Sequence, residues 1–470
     1  MITFILNDTP ITTDKPSGTI LLDFIRYHQS LMGTKIGCRE GDCGACTIMV
    51  GDIRDGQLHY ESMTSCLTPI GNAQGKHIVT IEGFNGAELT PVQEAMVEEG
   101  GTQCGFCTVG FVVSLQGFCL SSKPLTYENA IAAIDGNICR CTGYKSIERA
   151  AQRIVDHLET CNSNDKMDWL VAQGYLPAYF KTIQQRIEAL QATRPKPSPP
   201  QDGKLKPVGG GTDLYVQRPA EMRDAAMSHF LDERSLKGIT RKGDKIHIGA
   251  ASTAEELRSS AILLETIPRL FDFMKLVSST PIRNMGTVAG NFVNASPIGD
   301  LTIFFLGMNA SIVLSKTGGS RTIALKDFYQ GYKVLDKQPG EILEKIIIDV
   351  PKQPVNFNFE KVCKRTHLDI ATVNSALLIQ VENDTIISAH ASAGGVGPTP
   401  KYLQKTCDFL KGKPLTATTI QEANEVIQGE ISPISDARGT QEYKRLLLRQ
   451  LFYAHFLTLF PNKIQLTQLV

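Results

Sequence analysis

The stretch Gly37-Cys-Arg-Glu-Gly-Asp-Cys-Gly-Ala-Cys46 places three cysteines on one short loop, and a fourth follows at position 66. The spacing is C-x4-C-x2-C with a distant fourth member. Gly41 and Gly44 have no side chain, so the backbone can approach the sulfur atoms closely and direct N–H groups at them. This loop therefore predicts a site for a metal or metal cluster, whose ligands would be Cys38, Cys43, Cys46 and Cys66.

A second set of four cysteines combines a C-x2-C pair with a C-x-C pair: Cys104, Cys107, Cys139 and Cys141. Four thiolates can hold a [2Fe–2S] cluster, and the first set has the spacing of plant-type ferredoxins. The alternative is structural zinc, which favours two regularly spaced C-x2-C hooks. The first set lacks such hooks, whereas the second set on its own leaves zinc open. Two clusters in sequence would form an electron-transfer relay.

The composition is that of an ordinary soluble globular protein, with 42% hydrophobic and 20% charged residues. The 48 basic and 48 acidic residues balance, which argues against nucleic acid or an anionic membrane as a partner. No apolar run reaches the roughly 18 residues needed to span a bilayer. The N-terminus lacks the basic and apolar regions of a signal peptide, so we expect a cytoplasmic protein with reduced thiols.

A chain of 470 residues is too long for one hydrophobic core, and the pattern predicts an α+β multidomain protein. Short strand-like runs (Ile2–Leu6, Thr47–Val50, His77–Ile81) surround the first cysteine set, and helical spacing begins at Pro91. We expect four helices around the second set, then a proline-rich connector at residues 194–204, then two mixed domains. The predicted boundaries are 1–84, 85–160, 161–204 (linker), 205–352 and 353–470.

Two glycine-rich loops follow the connector. The first, Pro207-Val-Gly-Gly-Gly-Thr-Asp-Leu214, comes directly after a short strand, and no clear helix follows it. Glycine backbones can close around phosphate oxygens, although three glycines alone are more often a turn. The second, Ile282–Asp300, is dense in small and amide side chains, which need partners if they are buried. Together the loops suggest a large phosphate-bearing cofactor.

Gly37–Cys46, Gln103-Cys-Gly-Phe-Cys-Thr108 and Asn137-Ile-Cys-Arg-Cys-Thr-Gly-Tyr144 resemble the iron–sulfur signatures of the molybdenum hydroxylases. The loops at Pro207–Leu214 and Gly286–Asp300 resemble the FAD loops of the same family. The resemblance implies a β-grasp ferredoxin domain and a four-helix bundle, each with a [2Fe–2S] cluster. It further implies an FAD domain of the vanillyl-alcohol-oxidase type and a C-terminal α+β domain.

The resemblance implies that the first cysteine set ligates the cluster that lies nearer to FAD. The second set would hold the cluster next to a partner's molybdopterin, with Gln103 against the pterin. The FAD contacts that it implies are Val208, Gly209, Gly210, Gly211, Thr212, Asp213, Leu214, Thr287, Val288, Ala289, Gly290, Asn291, Asp300, Leu335 and Lys361. The loop Lys364–Asp369 would lie near the isoalloxazine and affect access of a nicotinamide acceptor.

The chain departs from the family pattern in two places. Val109 stands beside the second cysteine set where the family usually has proline. The loop Lys361–Asp369 has fewer acidic residues than some family members, which leaves open whether the electron acceptor is NAD or another oxidant. After the cluster and flavin parts, no chain remains for a molybdenum domain. The resemblance therefore implies an electron-transfer subunit that pairs with a molybdopterin-binding large subunit, in a heterotetramer. The alternatives are a stand-alone flavin–iron–sulfur reductase and a zinc-stabilised binding module.

The remaining histidines and cysteines lack ligand-like spacing and are expected to be structural or exposed. Cys119, inside an apolar helical run, is predicted to be a core residue. The charges at Glu255–Arg258 are predicted to form a solvated helix face.

Overall fold

The computed structural model describes residues 1–161, 163, 165–192, 205–365 and 368–469. The predicted proline-rich connector at 194–204 lies outside these residues, as do positions 366 and 367 of the charged loop.

The N-terminal part is a five-stranded sheet in the order β2-β1-β5-β3-β4, in which only β1 and β5 run parallel. One short helical turn, α1, precedes the first cysteine loop and continues as a π-helical turn to His28. The first cysteine loop runs from this turn to β3. The elements are β1 (Ile2–Leu6), β2 (Thr9–Thr13), α1 (Leu21–Asp23), β3 (Thr47–Arg54), β4 (Gln57–Thr64) and β5 (His77–Val79).

Four helices follow, as the spacing predicts. Thr90 begins the first of them through a capping box with Gln93, and Pro91 occupies its first turn. The second is apolar on all sides because it is buried between the strands β3 and β4 and two of the other helices, and Cys119 is part of this core, as predicted. The helices are α2 (Pro91–Glu98), α3 (Thr108–Leu120), α4 (Tyr127–Ala133) and α5 (Lys145–Leu158).

Two further helices pack on this part: α6 (Lys166–Ala172), which the sequence analysis missed, and α7 (Phe180–Ala192). Ile183 and Ile187 of α7 pack against Ile5 of the sheet. A short parallel pair, β6 (Lys206–Val208) and β7 (Met227–His229), encloses the one-turn helices α8 (Leu214–Gln217) and α9 (Pro219–Arg223). The expectation that no helix follows the first glycine loop was wrong, although α8 ends after one turn because a residue before proline disfavours helix.

The second half contains an antiparallel sheet in the order β11-β10-β14-β9-β8, flanked by helices. Residues 261–275 form two short helices, because Pro268 interrupts the helical run between them. The elements are β8 (Ile239–Lys242), β9 (Lys245–Gly249), α10 (Ala254–Ser259), α11 (Ala261–Thr266), α12 (Leu270–Lys275), α13 (Thr280–Arg283), α14 (Val288–Asn294), α15 (Asp300–Gly307), β10 (Ser311–Lys316), β11 (Gly319–Ala324), β12 (Tyr329–Gly331), β13 (Val334–Leu335) and β14 (Ile342–Asp349).

The C-terminal part is a second antiparallel sheet, in the order β15-β16-β17-β18, with three helices. Its core is formed by buried residues of the two long strands together with buried residues of all three helices. The elements are β15 (Phe357–Val362), β16 (Val373–Glu382), β17 (Thr385–Gly394), β18 (Lys401–Tyr402), α16 (Gln404–Leu410), α17 (Ala417–Glu430) and α18 (Gln441–Leu459).

The chain forms two compact units. The first comprises Met1–Leu231 together with Ser279–Gly286, and the second comprises Asp232–Ser278 together with Thr287–Val470. The prediction that the charges at Glu255–Arg258 form a solvated helix face is wrong. Arg258 is buried and donates to Glu255 at 2.9 Å, and its guanidinium lies 3.8 Å from the ring centroid of Phe271. None of the helices in the described ranges is long and apolar enough to cross a membrane.

Candidate iron–sulfur and flavin sites

The first cysteine set gathers in two pairs. The Cys46 Sγ lies 3.3 Å from the Cys66 Sγ, and the thiols of Cys38 and Cys43 contact each other. Backbone N–H groups point at these sulfurs: Glu40 and Cys43 donate to the Cys38 Sγ at 3.3 and 3.4 Å. The contact with Cys43 and these N–H donors outweigh burial and lower the pKa of the Cys38 thiol to about 5. The thiolate is the form that binds metal.

The second set is also paired. The Cys141 Sγ lies 3.7 Å from the Cys104 Sγ, and Cys107 contacts Cys139. Cys107 is the residue from which helix α3 begins, and Thr142 donates its N–H to the Cys139 Sγ at 3.4 Å. Cys104 and Cys141 are exposed, whereas Cys46 and Cys66 of the first set are buried.

This pairing is the arrangement that a two-iron cluster needs, because each iron of a [2Fe–2S] cluster takes two of the four thiolates. A tetrahedral zinc ion instead draws four ligands around one point. In the described ranges, no three Cys, His, Asp or Glu side chains converge so as to hold a single metal ion. The donor sets and their N–H groups therefore fit [2Fe–2S] clusters.

A backbone hydrogen bond joins the two cysteine-bearing segments. Ile138, the residue before Cys139, donates its N–H to the carbonyl oxygen of Cys43 at 3.0 Å. The neighbouring Asn137 donates its Nδ2 to the carbonyl oxygen of Gly44 at 3.1 Å and accepts from Ser114 Oγ at 2.8 Å. Asn137 is buried, so this connection is shielded from water.

The first glycine-rich loop has the geometry of an anion site. Within the described ranges, the N–H groups of four consecutive residues, Gly209 to Thr212, donate no hydrogen bond. A Cβ on Gly210 would lie 2.1 Å from the carbonyl oxygen of Met285, and Gly211 has φ +88°, so glycine is required at both. Successive free N–H groups of this kind bind phosphate oxygens, and the loop therefore fits a pyrophosphate.

The second glycine-rich loop is arranged differently. The N–H groups of Val288 and Ala289 donate to the carbonyl oxygens of Ser252 and Ala250, both at 3.0 Å. Gly290 donates to Thr287 Oγ1 at 3.1 Å. These N–H groups are therefore already used within the fold. A cofactor at this loop would contact side chains, such as the half-buried Asn291, rather than a backbone cradle.

Asp300 and Lys361, both predicted FAD contacts, lie side by side in the second unit. The Lys361 Nζ lies 2.7 Å from Asp300 Oδ2 and donates to the carbonyl oxygen of Leu276 at 2.7 Å. Asn374 donates its Nδ2 to the other carboxylate oxygen at 2.7 Å. Leu335, also predicted, is half-buried in β13 opposite Tyr329.

Sequence reasoning missed two supporting residues. Asn72 donates to the carbonyl oxygen of Gly209 at 3.1 Å and so holds the first glycine loop, and Asn374 holds Asp300. Neither asparagine belongs to a motif, and no local signal in the sequence marks them.

Four family models match consecutive parts of the chain. They describe a 2Fe-2S iron-sulfur cluster binding domain (residues 4–71), a [2Fe-2S] binding domain (80–152), an FAD binding domain in molybdopterin dehydrogenase (177–352) and a CO dehydrogenase flavoprotein C-terminal domain (359–459). These domains define an iron–sulfur flavoprotein.

Curated relatives align with almost the whole of this chain. The chain is 28% identical to a xanthine dehydrogenase of Blastobotrys adeninivorans, with 97% of this chain and 40% of the relative aligned. It is 28% identical to xanthine dehydrogenase 1 of Arabidopsis thaliana, with 94% and 38% aligned. The chain thus spans about two fifths of the length of these relatives.

Solved structures support the fold. A carbon monoxide dehydrogenase from Hydrogenophaga pseudoflava matches 56% of this chain and 92% of its own at TM-score 0.52 and 24% identity. Quinoline 2-oxidoreductase from Pseudomonas putida 86 matches the same shares at TM-score 0.51 and 20% identity. With the four domain models in this order, the chain is similar to the iron–sulfur and FAD-binding part of the molybdenum hydroxylases.

Proposed function

We propose that this chain is the electron-transfer part of a xanthine dehydrogenase, passing electrons from a molybdopterin-binding partner to FAD and then to NAD. One observation carries the proposal: two paired thiol sets are joined by the hydrogen bond from Ile138 to Cys43. When bound, the clusters exchange single electrons and FAD exchanges electron pairs, which suits FAD for hydride transfer to NAD.

The cluster ligands in this proposal are the two cysteine sets named above. Gly209–Thr212 hold the pyrophosphate through their free N–H groups, and Asp213 and Leu214 complete that loop. Residues 287–291 contact FAD through their side chains and surface, since their first N–H groups are used elsewhere. Asp300, Leu335 and Lys361 provide the remaining contacts.

The exposure of two cysteines of the second set supports a docking face for the partner at this site. Cys104 and Cys141 are exposed, and the nearby Phe106 and Tyr144 leave 47% and 37% of their surface accessible. Exposed aromatic side chains around a redox centre favour burial against another protein. We place the molybdopterin-binding large subunit on this face, with Gln103, also exposed, directed at it.

Further parts of the proposal rest on the relatives. Their name supports xanthine as a substrate of the assembled enzyme. The family resemblance adds hypoxanthine as a second substrate, urate as the product and a heterotetramer as the assembly. In the described residues none of the twelve cysteines forms a disulfide, which suits a reducing compartment such as the cytoplasm.

Co-expression with a molybdopterin-binding partner and spectroscopy of the purified complex test the proposal. The dithionite-reduced complex should give two distinct EPR signals from [2Fe–2S] clusters, and xanthine should reduce NAD. A colourless zinc protein, or a single EPR signal, would refute the relay. Full turnover by this chain without a partner would identify a stand-alone reductase instead. Two EPR signals with activity only on another heterocycle or an aldehyde would retain the relay and refute the substrate.

A further inference from the structure

Residues 279–286 form a short segment of the flavin region that belongs to the first unit, and one side of it contacts the first cysteine domain. Asn284 Nδ2 donates to the carbonyl oxygen of Ser62 at 2.8 Å. A Cβ on Gly41, inside the cysteine loop, would lie 2.7 Å from the Ile282 side chain. The segment is therefore packed directly on the loop between Cys38 and Cys43.

The other side of this segment contacts the helical domain through an ion pair. Arg283 Nη2 lies 2.8 Å from Asp135 Oδ2, and Thr280 donates its N–H to Asp135 Oδ1 at 2.7 Å. The Arg283 side chain is 0% exposed and that of Asp135 16% exposed. Removing one partner of such a buried pair leaves an uncompensated charge, so the pair firmly fixes the position of Asp135.

Asp135 begins the four-residue segment Asp135–Ile138, which leads directly to the ligand Cys139. Its first residue is held by Arg283 and Thr280, and its last two bond the carbonyl oxygens of Gly44 and Cys43. A Cβ on Gly136 would lie 2.9 Å from the Pro281 side chain, so the segment is also in close contact with residues 279–286 along its length. It is thus anchored at both ends.

We propose that Arg283 and Asp135 are positioning residues that hold Asp135–Ile138 against the Cys43–Gly44 turn and thereby fix the separation of the two cysteine sets. This inference rests on the proposed function, because it gives the ion pair a part in the relay. Neither side chain contacts a sulfur ligand in any hydrogen bond described above. Both act through the backbone of the segment that they hold.

The test compares Arg283→Met and Asp135→Asn with the wild-type complex by two measurements. Hydrogen exchange at the Ile138 amide reports the bond to Cys43 and should be about tenfold faster in each variant. EPR of the fully reduced complex reports the magnetic interaction between the two clusters, and its splitting should change while iron content stays the same. A role confined to overall stability would leave the splitting unchanged.

Arg258→Met provides a matched control, because Arg258 and Glu255 form a buried ion pair in the second unit. This variant should unfold more easily but keep wild-type exchange at Ile138 and wild-type splitting. Should Arg283→Met fail to accumulate, Arg283→Lys retains the charge and should show a smaller change in the same direction. Unchanged exchange and splitting in the Arg283 and Asp135 variants would overturn the inference. Absence of two EPR signals in the wild type would instead refute the proposed function, while the exchange result would still decide the role of the pair.

Discussion

The ammonium group of Lys361 lies 2.7 Å from the carboxylate of Asp300, and the Lys361 side chain is 1% exposed. Replacing Asp300 with alanine removes the only carboxylate that pairs with Lys361 among the interactions of the described residues. We expect the variant to lose about 3–5 kcal/mol of stability, since a buried charge is left without its partner. We also expect it to retain less FAD, measured as flavin absorbance per chain after gel filtration.

The double variant Asp300→Ala/Lys361→Met separates the two effects. It removes both charges, so much of the stability should return, whereas FAD retention should stay low if both residues contact the cofactor. Wild-type flavin content in both variants would contradict the assignment of these residues to the FAD site.

Gly210→Ala should abolish FAD retention, because the new Cβ would meet the carbonyl oxygen of Met285 at 2.1 Å and displace the loop with the free N–H groups. Gly429→Ala is the control, since no atom of the described residues lies within 4 Å of a Cβ at that position in helix α17. It should keep FAD and gain about 0.5–1 kcal/mol of stability through higher helix propensity. Flavin fluorescence and thermal unfolding measure both outcomes.

Cys43→Ser and Cys141→Ser should each remove one cluster and leave the other, because the two variants affect different thiol pairs. EPR of the reduced proteins should show a different single signal in each, with FAD still bound. Cys119→Ser serves as the control: Cys119 is buried in helix α3 and belongs to neither set, so both signals should persist. Normal electron flow from substrate to NAD in either ligand variant would contradict the relay.

His455 should make the second unit sensitive to acid. Its ring is 0% exposed, and burial lowers its pKa from 6.5 to about 3. Its Nδ1 lies 3.0 Å from the Nδ2 donor of Asn358, so an added proton there would face another donor. As the pH falls below 6.5, His455 becomes protonated in the unfolded chain but stays neutral in the folded chain. The free energy of unfolding therefore decreases.

The decrease from this one histidine should be roughly 2 kcal/mol between pH 7 and pH 5, at 1.36 kcal/mol per unit of pKa difference. Urea unfolding at both pH values measures it. His455→Gln should show a correspondingly smaller difference between the two pH values, whereas replacement of the exposed His28 with glutamine should leave the difference unchanged. An equal acid response in all three proteins would contradict the prediction.

The sequence predicted best those features whose physics is local. The cysteine spacings identify both thiol sets, and Thr90 with Pro91 marks the start of helix α2 before any packing is known. Residue spacing likewise indicates that glycines at 209–211 could form a phosphate loop. The structure adds that their N–H groups are free.

Features that depend on residues distant in the chain could not be predicted from the sequence. The charges of Glu255 and Arg258 look solvated by pattern, yet Phe271 covers the arginine. The second glycine loop resembles a family FAD loop in sequence, but two of its N–H groups donate hydrogen bonds to the carbonyl oxygens of Ala250 and Ser252, which are distant in the sequence. Nothing in the sequence around Arg283 indicates that its partner is Asp135.

Because residues 279–286 belong to the first unit while the chain on either side belongs to the second, no single cut separates the two units. A fragment ending in the proline-rich connector would lack Ile282, Arg283 and the glycine loop at 209–211, and would expose the apolar and charged surfaces that these residues cover. Cleavage there should yield an aggregation-prone piece instead of a free-standing ferredoxin. Any natural or engineered splitting of this polypeptide into separately encoded redox proteins would have to rebuild that surface first.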